Sequence, residues 1–563
     1  MSFRNPNWGG LLGRFTTSKV SKCDGRGRAN VNRTRRRFAR FESLESRELL
    51  AGDVSVAVVN GKLKLEGDGR DNAVEITAGD TSDSFVIRGL AQGAPTTVNG
   101  QDSVTVSNVT RKVKFKMGGG DDVLVLDSGS GDGLILPEQL KVFGHEGDDR
   151  VRIAATGGSR VKIKGDVTLD LGTGDDTVDV YSEGDGLGVV AKQRFHTIMG
   201  SGNDSVMFDA VGGTARVKVK GDTFVQLDGD DDNAVFTAHD DDTRIQLKGD
   251  LTINGGDRHD TIRLEALTEN AQMLAYGKVN IITGSGNDRV RAQAMADNAL
   301  ISLMDDVDIS TASGKDELLI DAIDGSARVE FGGAFAGMTG TDDDYIRVRA
   351  KDAATSIDFA GAALIDSGSS SNLVGDEIAV RAMTGSANVT FHGDATINSD
   401  NSLRHGNSLE LRADADATKL KFEQDLSINI GNHGQPMDIE LIARTGDAAI
   451  LVDGNLKIAA ETGDTNIHVE SRFDNARIRV GKDASIQTGR TNDSVVLLTG
   501  ADNTSIAIGD DLRISLGDEK DSLEITGVAV ADNGMLNGEE DVDTFVDGGG
   551  NSFTTLQVLN FEV

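Results

Sequence analysis

GTGDDTVDV at 172–180 is followed by GSGNDSVMF at 200–208, and the same string stands as GGGDDVLVL at 118–126 and GSGNDRVRA at 284–292. A string that recurs at a fixed interval marks a repeat architecture. Its acidic residue falls at Asp122, Asp149, Asp176, Asp204, Asp232, Asp260, Asp288, Asp316, Asp344 and Asp376. The phase continues through Asn407, Met437 and Thr465 to Asp493 and Asp521. The steps are 27 twice, 28 six times, then 32, 31 and 30, then 28 three times, and twelve of the fifteen positions are Asp. A shared period this strict makes the body one repeated unit.

Apolar residues keep the same phase. Two and four positions after the acidic residue stand Val178 and Val180, Val206 and Phe208, Ile262 and Leu264, Leu318 and Ile320. Alternation of period two means a strand with one buried face. A second pair precedes the acidic residue by nine and seven positions (Val167 and Leu169, Leu251 and Ile253), and a third by fifteen and thirteen (Val161 and Ile163, Ile245 and Leu247). Three short strands per repeat are therefore expected. The corners between them carry turn residues: Gly165-Asp166, Gly221-Asp222 and Gly249-Asp250 at one, the Gly-x-Gly-x-Asp string at another, and Ala266 to Ala271 or Ala382 to Ala387 at the third. Gly supplies positive φ, and Asp bonds nearby backbone.

No segment has capped helical periodicity, so the expected fold is all-β: a parallel β-helix solenoid, right-handed by the usual preference for crossovers, with about fifteen coils. One coil cannot bury its inner face alone, so stacking creates the core. At about 4.8 Å per coil the stack would be roughly 70 Å long. The expected organisation is a basic leader over 1–53, an N-terminal end segment over 54–110, the β-helix over 111–529, and a C-terminal end segment over 530–563. Ends of such a stack expose strand edges that need covering.

Composition agrees with this layout. Of 563 residues, 69 are Gly and only 4 are Pro, and 91 Asp plus Glu outnumber 57 Lys plus Arg for a net charge of −34. That charge argues against nucleic acid and points to cations as partners. One Cys excludes a disulfide framework or a Cys-rich metal site. No apolar run of 18 residues is present, so no membrane span is expected. Residues 1–53 hold 12 Lys plus Arg against 5 Asp plus Glu, which makes the leader +7 and the remainder −41. The single Cys23 and Trp8 both lie in the leader. Leu49-Leu50-Ala51 is too short for the apolar core of a secretory signal.

FESLESRELLAGD, from Phe41 to Asp53, resembles the LEPR-XLL N-terminal motif of large exported and surface proteins of planctomycete bacteria. Leu44, Glu45, Arg47, Leu49 and Leu50 match it, while Ser46 stands where the family has Pro. The resemblance spans about a dozen residues and implies export, hence an extracellular or cell-surface location.

Stacking places one Asp per coil in a line. At about 5 Å, two such charges repel by roughly 0.8 kcal/mol in water and about 3 kcal/mol at an effective dielectric of 20. Divalent cations between coils, backbone amides, or basic neighbours could compensate. The turn Gly-x-Gly-x-Asp-x-apolar resembles the calcium-binding nonapeptide of repeats-in-toxin proteins, through Gly172, Gly174, Asp176 and Val178, and likewise Gly200, Gly202, Asp204 and Val206. That resemblance implies Ca2+ as cofactor, with Asp122, Asp149, Asp176, Asp204, Asp232, Asp260 and Asp288 as candidate ligands. Oxygen-rich sites suit calcium. The toxin repeat recurs every nine residues, whereas this turn appears once per ~28-residue coil, and His145 occupies a Gly place. The competing expectation is a structural ladder in which the carboxylates bond backbone amides of the next coil.

Other chemistry is weakly signalled. Exposed carboxylates are so numerous that the pair needed for glycoside hydrolysis can be found anywhere. The body has no Trp, and Tyr181, Tyr276 and Tyr345 form no stack. The eight His are scattered without metal spacing and are expected at surfaces or corners. Outward Arg263, Arg291, Arg347, Arg349, Lys162 and Lys164 read as a solvated face that suppresses edge association. The expected function is an exported structural or adhesive β-helix protein rather than an enzyme. Its expected partners are calcium and an extracellular matrix or surface polysaccharide. The alternative is a lyase or hydrolase of acidic polysaccharide.

Overall fold

Alternating apolar residues within short segments, each ended by a turn, can bury one face only by stacking on copies of themselves. The computed structural model shows this arrangement. It describes residues 52–92, 94–129, 133–369, 375–400, 407–501 and 503–562. The leader with Cys23, Trp8 and most of the LEPR-XLL-like stretch lies outside the described residues. The fold belongs to the unit Leu50–Val563.

Every described regular element is a strand. The strands build a parallel β-solenoid of about 14 turns with roughly 28 residues per turn. Three walls result, with sheets of 20, 19 and 15 strands. In one coil the first wall is Val167–Thr173, the second Thr177–Glu183 and the third Gly188–Ala191, after which Phe195–Ser201 returns to the first wall. Pairing is in register with the repeat: Val178 lies beside Val206, Val167 beside Phe195, and Val189 beside Val217. On the second wall the longer sequence steps leave this register intact, since Tyr345 pairs with Glu377, Glu377 with Ser408, and Ser408 with Asp438, while on the first wall the register shifts between Asp366 and Ser369. Their extra residues are absorbed at the corner between the first and second walls, where a turn can lengthen without shifting a strand.

Antiparallel pairs fall near the N-terminal end: Asp53–Val59 with Lys62–Glu66, Ala73–Ala78 with Phe85–Gly89, Phe85–Gly89 with Ser103–Val106, and Ala91–Gln92 with Ala94–Pro95. They bring two-sided pairing to the end of a stack whose coils pair in parallel.

The core is a single continuous cluster running the length of the described unit. On the third wall Phe331, Phe359, Phe391 and Phe422 stack face to face, with successive ring centroids 4.7, 4.6 and 4.8 Å apart and planes within 5° of parallel. This spacing is the inter-strand spacing itself, so ring stacking and backbone pairing reinforce each other. Glycine is required where coils touch. At Gly200 φ is 105° and an added Cβ would meet the Gly172 carbonyl oxygen at 1.7 Å. His145, in the equivalent place, holds φ 91°, a conformation that strains a side-chain-bearing residue.

Outward charges on the second wall are tied across coils. Asp321 is fully buried; it accepts from Arg347 Nε at 3.0 Å and Nη2 at 2.6 Å, and from Arg349 Nε at 3.0 Å. Arg347 and Arg349 are thus ion-paired rather than merely solvated. Asp321→Ala strands two guanidinium groups and is expected to destabilise by about 2 kcal/mol, measured by urea denaturation, with Lys457→Ala on an exposed site as the neutral reference.

Candidate functional site: a buried aspartate file

The corner between the first and second walls brings all seven candidate ligands into one line, and it turns them inward. Asp122, Asp149, Asp176, Asp204, Asp232, Asp260 and Asp288 are each at most 2 % exposed. The cause is local. Glycines of positive φ, such as Gly172 and Gly174, tighten the turn, and the Asp backbone amide then points along the stack at the neighbouring coil.

The amides and carboxylates form a ladder. Asn72 N–H donates to Asp122 Oδ1 at 2.6 Å, Asp122 to Asp149 at 2.9 Å, Asp149 to Asp176 at 2.7 Å, and Asp176 to Asp204 at 2.7 Å. Asp204 donates to Asp232 at 2.7 Å, Asp232 to Asp260 at 3.1 Å, Asp260 to Asp288 at 2.8 Å and Asp288 to Asp316 at 2.7 Å. Each carboxylate therefore accepts from the amide of the preceding coil, not of the next one, because the N–H at this one position of the corner points toward the C-terminal end. The ladder breaks where Met437 offers no acceptor. It resumes with Thr465 N–H to Asp493 at 2.7 Å and runs through Asp521 to Asp543 at 2.8 Å.

One position earlier the direction reverses. Asp148 N–H donates to Asp121 Oδ1 at 2.9 Å, Asp175 N–H to Asp148 at 2.8 Å, and Asn203 N–H to Asp175 at 2.8 Å. These side chains are exposed. The corner thus carries an inner file and an outer file of opposite polarity, and in the outer one, which solvent meets, Asn203, His259 and Asn287 stand as acceptors among the carboxylates.

The inner file has a deficit. Oδ2 of Asp122, Asp149, Asp176, Asp204, Asp232, Asp260, Asp288, Asp316 and Asp344 is buried and has no hydrogen-bond partner. A carboxylate that cannot reach water holds its proton more tightly. Burial pushes Asp122, Asp176 and Asp232 up to about 7, and Asp149, Asp204 and Asp260 up to about 8, with the backbone bond to Oδ1 opposing it. Asp288 moves in the same direction. Asp493 makes the contrast: its Oδ2 accepts from Gly489 N–H at 3.2 Å, and it rises only to about 6.

One proton on Oδ2 neutralises each group and turns an unpartnered acceptor into an O–H donor. Calcium needs six to eight oxygens, and a coil supplies one inner carboxylate with one free oxygen, the remainder having to come from backbone carbonyls. Among the described residues no group of three or more His, Cys, Asp or Glu side chains could hold a metal ion. The side chains present form no dedicated acidic cage, and calcium here would be held by one inner carboxylate oxygen per coil together with backbone carbonyls.

Two members of the file escape sequence reasoning. Asn72, at the N-terminal end, precedes the Gly-x-Gly strings, and Asp543 follows Asp521 by 22 residues rather than 28, which hides it from a fixed period. An apolar residue two positions on, Phe545, was the available signal. Of the histidines, His433 is at this corner but buried. Its Nδ1 lies 2.8 Å from the Gln435 carbonyl and its Nε2 3.3 Å from Thr465 Oγ1, so it occupies the stretch where the Asp ladder is interrupted. No helix of the described residues is long and apolar enough to cross a membrane. No protein-family model matches the chain, and no curated protein is similar to it in sequence.

Proposed function

We propose that this chain is an exported structural or adhesive protein, a stiff β-solenoid standing at the cell surface or outside the cell. The observation that carries this reading is the continuity of the three walls, paired in register from coil to coil and tied at the corners by carboxylate-to-amide ladders. Such a stack resists bending and presents long, regular sidewalls, which suits spacing and display. The LEPR-XLL-like stretch supports the export half of the reading. Fractionation of cells expressing the tagged full chain tests it. Recovery in the surface fraction or the medium is expected; recovery with soluble cytosolic enzymes would overturn it.

The unpartnered inner Oδ2 atoms favour a second element, calcium bound along the file in place of protons. Under that reading, EGTA at pH 8 lowers the melting temperature and added calcium restores it. An unchanged melting curve sinks it and leaves the protonated ladder.

A further inference from the structure

The body is strongly acidic, yet one strip of it is cationic. Lys164, Lys192, Lys220 and Lys248 follow the last residue of the third-wall strand in four successive coils. Their amides donate in turn to the carbonyls of Leu136, Ile163, Ala191 and Val219, so the four lysines form a file with a step of about 4.8 Å. On the outward face of the same wall stand Arg160, Lys162, Arg216, Lys218 and Arg244. All of these side chains are half-buried or exposed, and among the described residues none of them has a carboxylate within ion-pairing distance. Buried Nε atoms of Arg160 and Arg244 have no hydrogen-bond partner. Several cations elsewhere on the solenoid are paired across coils, as Arg347 and Arg349 are at Asp321.

The lysines feel one another. Contact with and repulsion from Lys220 pull Lys192 below its ordinary value. Desolvation, then repulsion from Lys248 and Lys220, does the same to Lys218. At its N-terminal end the file opens into a depression of about 670 Å³, lined by Lys62, Lys112 and Lys164 together with the ion pairs Arg111–Glu138 and Arg194–Asp166. At the other end Tyr276 takes the next place in the file, and the Lys248 ammonium lies over its ring. The strip is narrow. Asp166, Asp222 and Asp250 border it on the first-wall side, and Asp185 and Asp240 on the second-wall side.

We propose that this strip is a docking surface for a linear polyuronate, an acidic polysaccharide with one carboxylate per sugar, lying along the solenoid axis. The corner file sets one lysine per coil, flanked on the wall by Arg160, Lys162, Arg216, Lys218 and Arg244, and this regular step matches a polymer with evenly spaced charge. A densely charged polyanion, such as nucleic acid with a charge every ~1.7 Å of duplex, would crowd the bordering aspartates. The proposal deepens the adhesive reading by naming a partner, and its test is made on purified protein, so it stands or falls independently of where the chain is located.

The test titrates oligogalacturonate into the full chain at 150 mM salt, comparing Lys192→Glu/Lys220→Glu with Lys419→Glu/Lys457→Glu, which makes the same charge change at exposed sites outside the strip. At least a tenfold loss of affinity is expected in the first variant only, with binding that weakens as salt rises. Absence of binding by the unmodified chain, or equal losses in both variants, would overturn the proposal. Tighter binding of chondroitin sulfate or a single-stranded oligonucleotide would overturn the choice of polyuronate. Self-association abolished by the strip variant would show that the occupant is a second copy of the chain.

Discussion

Raising the pH from 5 to 8.5 is expected to lower the melting temperature of the full chain by about 5–10 °C, the equivalent of a few kcal/mol in a cooperative block of coils. Most carboxylate-rich proteins do the reverse, because ionised and paired carboxylates favour the folded state. Here the inner file decides the sign. Asp122, Asp149, Asp176, Asp204, Asp232 and Asp260 titrate near 7 to 8 when folded and near 3.9 when unfolded. Between those values the folded state holds protons that the unfolded chain has released, so stability falls as pH rises. The contribution is fully present below about pH 4 and is lost as pH passes through the folded values.

Asp204→Asn should flatten this profile. An amide keeps an oxygen acceptor for the Asp176 N–H and cannot ionise. The chain already makes this exchange once: Asn407 Oδ1 accepts from Asp376 N–H at 3.0 Å while its Nδ2 donates to Ser399 Oγ at 2.6 Å. Thermal melts across the pH range, with and without EGTA, check the result. A melting temperature that climbs steadily from pH 5 to 8.5 would refute the protonated file, as would an Asn variant with the parent's profile.

The second large effect belongs to the third wall. Phe359→Ala is expected to cost about 3–5 kcal/mol, the usual range for emptying a fully buried aromatic site. Phe359 sits between Phe331 and Phe391 at 4.7 and 4.6 Å and contacts Phe335 edge-on at 5.1 Å. Its neighbours are held by backbone pairing on both sides and cannot collapse into the gap. In a solenoid the loss is shared with adjacent coils only. Hydrogen exchange should therefore show accelerated opening over Arg328–Phe331, Ser356–Phe359 and Asn388–Phe391, with distant coils unchanged. Phe359→Leu should lose less than half as much. Uniform acceleration along the whole stack would contradict nearest-neighbour coupling.

How far the sequence can be read is clearest at the Asp corner. The three strands per repeat, their inward residues and the common register were legible because side-chain alternation and turn glycines are local properties. Even the irregular steps of 32, 31 and 30 residues were visible, although their placement at a single corner was not. The line of aspartates was legible too, as was its reading as a ladder to backbone amides. An outward row of carboxylates stands one residue earlier, at Asp121, Asp148 and Asp175. The inner row does not face solvent, because which side of a tight turn a side chain occupies depends on φ at the preceding glycines and on the backbone of the next coil.

The lysine strip shows the same division. Lys162 and Lys164 were visible singly, but a file through Lys192, Lys220 and Lys248 emerges only when coils are stacked. Residues 28 apart then become neighbours, and cations without acidic partners can be told from those that have them. By itself the sequence determined the period, the strands and the all-β solenoid, since each follows from local pattern repeated many times. Only the tertiary structure decided which charges are buried, which are paired and which remain free, because those outcomes depend on contacts between coils.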